Sequence, residues 1–202
     1  MVFCRVAIIV LGVAGIWGCT VSKLTPVSFP AMYQPEGSGA DVASVPACAV
    51  FRSLSLSDER TDKRTAGTRS LQEKPGRSDI FIEGDVESWF EAGVKQALVQ
   101  TQFPQDPVGK LDLVMELESL RIAEIAYRNS TFEGKVVLEV GVKEPGSESF
   151  AWSERFEGAA QNYGRPGKEE NYQETVNHAL DRAIASALNS ESLRARLCGG
   201  SS

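Results

Sequence analysis

Histidine is almost missing from this chain: His178 is the only one. An ordinary zinc centre draws on several His or Cys ligands, and the four cysteines, Cys4, Cys19, Cys48 and Cys198, form no Cys-x-x-Cys pair. Neither a metal nor a cofactor is therefore expected. No Gly-x-Ser-x-Gly marks a nucleophile elbow, and a Ser-His-Asp set could recruit only His178, which falls inside a helical stretch. Basic charge is also short, with 21 Lys and Arg against 27 Asp and Glu. Such a balance makes a poor partner for nucleic acid. No repeat of fixed period is present, which excludes solenoids and propellers. After the first eighteen residues no apolar run approaches the roughly 20 residues of a membrane-spanning helix.

What is there begins with a leader. Arg5 is followed by thirteen uncharged residues, Val6 to Gly18. That run is too short to span a bilayer and has the pattern of a secretory signal peptide, residues 1–18. The next residue is Cys19. The stretch Ile16-Trp17-Gly18-Cys19 resembles the lipobox of bacterial lipoproteins. Ile16 and Gly18 fit it, and Trp17 is bulkier than that position usually holds. The resemblance implies that Cys19 receives a diacylglyceryl group, becomes the new N-terminus and carries fatty acyl chains such as palmitate. Two or three chains anchor durably where one does not. Thr20 replaces the aspartate that tends to retain such proteins in the inner membrane. The expected address is therefore the periplasmic side of the outer membrane, with the inner membrane second.

Residues 19–46 hold the anchor and a stretch with Pro26, Pro30, Pro35 and Pro46 and with Gly37 and Gly39. No helical or strand period is evident, and the stretch reads as a flexible tether with an end-to-end distance of about 30 Å. Without residues 1–18, which carry Arg5 and no acid, 20 basic residues face 27 acidic ones, a net charge of −7. The part over 47–198 suits one domain, with 199–202 as a disordered tail.

Within that domain, residues 47–57 and 79–84 carry strand signals. The charged loop between them leaves room for a short extra strand at 65–71. Val86, Trp89, Phe90, Val94, Ala97 and Leu98 form a helical stripe with Asp85 as its N-cap. Leu111, Leu113, Met115 and Leu117 alternate inward before the phase shifts to Leu120 and Ile122, which predicts a bulge near Ser119. Two more strands follow across the short turns 128–131 and 145–148, so these three are antiparallel neighbours. A closing helix is predicted from Glu169 to Asn189. The order β-β-α-β-β-β-α gives an α+β two-layer sandwich, a largely antiparallel sheet with two helices on one face.

The order of elements, the Asp58-x-Arg60 after the first strand, and the helices at 85–100 and 172–188 resemble the YajG-type lipoproteins of Gram-negative bacteria. The resemblance implies a periplasmic protein without enzymatic activity. The function expected is that of a membrane-anchored binding or assembly module, auxiliary to a lipid or envelope transport system. Its partners would be the membrane through its anchor and another envelope protein. Asp58 and Arg60 are candidate partner contacts, although turn aspartates also serve their own backbone. The alternative is a periplasmic hydrolase using acidic residues on cell-wall glycan or peptide. Glu116/Glu118 and Glu169/Glu170 offer the carboxylates, but Glu116 and Glu118 alternate with core positions, as on a solvated strand face. Cys48 and Cys198, the cysteines left after processing, are expected to form a disulfide in an oxidising periplasm.

Overall fold

The computed structural model describes residues 24–35, 41–72 and 75–199. The leader, Cys19 and the Gly37–Gly39 spacer lie outside them. The strands are β1 (Val27–Pro30), β2 (Leu54–Asp58), β3 (Thr65–Leu71), β4 (Arg77–Glu83), β5 (Asp112–Ala126), β6 (Ser130–Lys143) and β7 (Trp152–Gly164). The helices are α1 (Val86–Gln100), α2 (Glu169–Asn189) and α3 (Glu191–Leu197). They build an α+β fold, a mixed, open seven-stranded sheet with three helices packed on it. The strand path is β1-β4-β3-β5-β6-β7, and β2 also pairs with β5.

Where the hydrophobic period is long and local, the elements form as the sequence predicts. Asp85 caps α1 by accepting from Ser88 N at 3.0 Å, and α1 buries Trp89, Phe90 and Val94. The register of β5 on β6 shifts between Leu117 and Ser119. That bulge keeps Leu117 buried before it and Leu120 and Ile122 buried after it. Helix α2 runs from Glu169 to Asn189 and lies directly on β7. A Cβ at Gly158 would come within 2.0 Å of Ala179 O and 2.3 Å of Ala183 N, so glycine permits this close approach.

Three expectations are corrected. Four strands precede α1 instead of two, because 65–71 is a full strand and β1 comes before all the others. The sheet is mixed, since β1–β4, β2–β5 and β3–β5 are parallel. Short turns require antiparallel neighbours only between consecutive strands, and these three pairs are not consecutive. A third helix follows Ser190, which caps it through Leu193 N.

The stretch read as a flexible tether is corrected too. Val27–Pro30 is a strand on β4, and Phe29 is 1% exposed. Val27, Ala31, Tyr33, Val42 and Val45 pack against the core. Burying this apolar side opposes the chain entropy that would otherwise keep a Pro- and Gly-rich segment loose.

Candidate functional site

Strand β5 shares one edge between two parallel partners. β2 pairs with Leu113–Leu117 and β3 with Ile122–Ala126. Between them lies the bulge, and the chain from Asp58 to Thr65 crosses over it. At Gly67 a Cβ would sit 1.7 Å from Ile122 O, so β3 can approach β5 there only with glycine. On the side of the sheet away from the helices, this crossing walls one end of a groove of about 1020 Å³. The groove runs over β5 and β6 to β7, where Arg182 of α2 donates from Nη1 to Ala159 O at 2.7 Å. Ala123 and Ala159 keep its floor low, and Arg121, Glu133 and Lys135 supply charge. Around it, Lys135 Nζ is 2.5 Å from Glu157, and Arg155 Nη2 is 2.7 Å from Glu118. The groove is thus of mixed charge, suited to hold a polar or amphipathic partner.

Arg60, Thr61 and Asp62 form its end wall, and Asp58 lies outside the lining, turned toward Arg60. Arg60 donates from Nε and Nη2 to the two Asp58 oxygens at 2.9 Å each, and from Nη2 to Lys63 O at 3.2 Å. The Arg60 and Asp58 side chains are 4% and 8% exposed. Burial pushes the Asp58 carboxyl upward, but the Arg60 hydrogen bonds and the charges of Arg60 and Lys63 outweigh it and hold the carboxyl below its ordinary value. Arg60 Nη1 is buried with no hydrogen-bond partner among the described residues.

Glu116 stands directly opposite Glu139. Burial, then the charges of Glu139 and Glu59, raise its pKa. Both belong to the solvent-facing side of the strands, outside the groove lining. Among the described residues no group of three or more His, Cys, Asp or Glu is placed to hold a metal. Cys48 and Cys198 are joined in a disulfide with a Cα–Cα distance of 4.7 Å, inside the usual range.

Two buried polar networks escaped the sequence reading. In the first, Glu124 accepts from Ser130 Oγ at 2.7 Å, from Gly167 N at 3.1 Å and from the Tyr172 hydroxyl. Arg69 Nε lies 2.7 Å from Glu124 Oε2, off the line of its N–H, and Arg69 Nη1 donates to Thr25 O at 3.2 Å. Burial, then the bond to Glu124, pushes the Tyr172 hydroxyl pKa up. The visible signal was a glutamate in phase with Leu120 and Ile122, the buried side of β5. In the second, Gln173, Asn177 and Asp181 make a polar stripe on α2. Gln173 Nε2 and Asn177 Nδ2 donate to Met32 O at 2.9 and 3.2 Å, and Tyr33 donates its hydroxyl to Asp181 at 2.6 Å. Trp89 Nε1 donates to Asn177 Oδ1 at 2.7 Å. Further along, Asn189 bonds Asp41 O and Ala43 N, and Arg194 donates to Ala43 O at 3.0 Å. Residues 24–35 and 41–48 thus form a strap along α2 and α3 that ends in the disulfide.

No family model and no curated protein sequence matches the chain. Among solved structures, a Xanthomonas campestris protein of family model DUF330 superposes with a TM-score of 0.50 at 7% identity, over 87% of this chain and 99% of that one. A minor lipoprotein of Acinetobacter baumannii gives a TM-score of 0.35 at 12% identity, over 74% and 94%. The first match shows a shared fold. The finer YajG-type likeness has no sequence match behind it. No helix among the described residues is long and apolar enough to cross a membrane.

Proposed function

We propose that this chain is a non-enzymatic binding or assembly module of the bacterial cell envelope. It is lipid-anchored through Cys19 on the periplasmic side of the outer membrane and auxiliary to a lipid or envelope transport system. The observation that carries this reading is the cysteine arrangement. Cys48 and Cys198, 150 residues apart, sit at bonding distance, which suits an oxidising compartment. Cys4 would leave with the leader, and Cys19 falls where lipoproteins are acylated. The groove supports a binding role, since it is a broad surface of mixed charge that no helix covers along β5 and β6. A hydrolase would need two carboxylates converging on an enclosed cleft, whereas Glu116 lies beside Glu139 on the open sheet, Glu118 is paired with Arg155 at the groove, and Glu169 and Glu170 are exposed in the first turn of α2.

Two measurements test the reading. Cells fed an alkyne fatty acid should label the wild type and spare Cys19→Ser; equal labelling of both refutes the anchor. A photo-crosslinking residue at Gln161, in the groove, should capture one discrete envelope partner in intact cells, while the same residue at Val108 should not. Matching patterns at the two positions refute the groove as a binding site.

A further inference from the structure

The strap bears on how the protein sits at its membrane, an inference that rests on lipidation of Cys19. A flexible tether would let the domain drift. Instead the body already holds the chain at Thr25, whose carbonyl accepts from the buried Arg69, and β1 begins two residues later. From Cys19 to Leu24 there are five residue steps, at most about 18 Å fully extended. An anchored chain therefore keeps the Thr25 end of the domain against the headgroups.

That end has a distinct surface. Strand pairing aligns Arg77, Ser70, Ile125, Thr131 and Tyr163 in one row across β4, β3, β5, β6 and β7. Ile125 is 41% exposed, Tyr163 is 66% exposed, and Tyr127 beyond the row is 43% exposed. The exposed Arg77, Arg128, Arg165 and Lys168 belong to the same end. Glu169 and Glu170 lie at its rim, in the first turn of α2. Tyrosines prefer the membrane interface, and basic side chains are drawn to an anionic leaflet. The cluster stands out because the chain as a whole is acidic. At the far end of the sheet Val108 is exposed beside the start of β5, and there Arg52 is paired with Asp112 and Lys143 lies over the Phe150 ring.

We propose that the end of the sheet formed by the β5–β6 turn, the β7–α2 loop and the start of the strap is a membrane-contacting foot that rests on anionic phospholipid. Resting there fixes the sheet upright, with its groove turned to the side and open to the periplasm.

The test uses the full-length lipoprotein purified from membranes and placed in phosphatidylethanolamine–phosphatidylglycerol vesicles that contain a headgroup-nitroxide lipid. A polarity-sensitive fluorophore is attached at Tyr163→Cys or, separately, at Val108→Cys. The label at 163 should be quenched several-fold more than the label at 108, and Arg128→Glu with Arg165→Glu should narrow the difference. Mass spectrometry of the same samples reads the anchor. Unmodified Cys19 overturns the anchor reading and this inference with it. A lipid on Cys19 with equal quenching at the two positions overturns the foot alone and leaves the tyrosines to a protein partner.

Discussion

Replacing Glu124 by leucine tests a charge that is both buried and heavily bonded. The carboxylate is fully buried, with the Arg69 guanidinium at 2.7 Å and only 6% exposed. It also receives Ser130 Oγ, Gly167 N and the Tyr172 hydroxyl. Its removal strands a buried cation, and breaking a buried pair from one side costs about 3–5 kcal/mol. Ser130 and Tyr172 add about 1 kcal/mol or more each unless they find new acceptors. A loss of about 4 kcal/mol is a large part of the roughly 5–15 kcal/mol that stabilises a typical domain, and for a domain of this size it lowers Tm by roughly 8–16 °C. The double variant Arg69→Met, Glu124→Leu removes the stranded charge and fills the space with apolar atoms. It should be more stable than Glu124→Leu alone. Urea melts of wild type, both single variants and the double variant give the coupling energy directly. A single-variant cost below about 1 kcal/mol, or a double variant whose loss equals the sum of the two singles, refutes the argument that the pair is one buried unit.

Leu117→Asp should unfold the domain or nearly so, because Leu117 is 0% exposed and an unpaired buried carboxylate is expensive. Glu118→Ala should cost within about 1 kcal/mol, the value of its exposed ion pair with Arg155; matching thermal melts contradict the strand phase. Unfolded, unreduced protein should show no free thiol from Cys48 and Cys198, and Cys198→Ser should lose up to roughly 5 kcal/mol for a loop of this length. Two free thiols in a count on the natural chain end that claim. Stability should fall in acid. The folded Asp58 carboxyl is held below its ordinary value, so its contribution is present above the unfolded pKa of about 3.9 and is lost as the pH drops through the folded value. Asp58→Asn should flatten the pH dependence of urea midpoints below about pH 4; an unchanged slope shows that the Arg60 pair does not set it.

The sequence displayed what is local. Helix α1 with its Asp85 cap, helix α2 from Glu169 to Asn189, and the bulge at Ser119 follow from periods and from caps one turn away. The Cys48–Cys198 pair was legible because elimination left no other partner for either thiol. Parallel pairing was not legible, since β2 and β3 meet β5 across distant sequence and nothing in a strand's period states its neighbour. The strap was misread because its prolines suggested a loose chain, while Val27, Phe29, Ala31 and Tyr33 alternate beneath them. The polar stripe Gln173, Asn177, Asp181 looked like a solvated helix face. It is a ladder of donors and acceptors for Met32 O and the Tyr33 hydroxyl. Glu124 showed its burial only through its phase with Leu120 and Ile122, and its partner Arg69 lay in a stretch that offered no such pattern.

A strap held in this way alters what an anchor transmits. Polar bonds from Gln173 to Arg194 fix it along two helices, Phe29 is buried beneath Tyr172 at a ring separation of 5.9 Å, and the disulfide closes its end on Cys198. Because Tyr172 bonds Glu124 and Glu124 holds Arg69, the carbonyl of Thr25 is tied through the core to β5. Peeling the strap away would expose the polar stripe of α2, unstack Phe29 and leave Arg69 one acceptor short. The strap, α2 and the edge of β5 therefore open together or not at all, as one cooperative unit. If Cys19 is anchored as proposed, strain there would pass into helix and sheet, and it would reach the groove on the other face through β5 and through Arg182 of α2, which both line it.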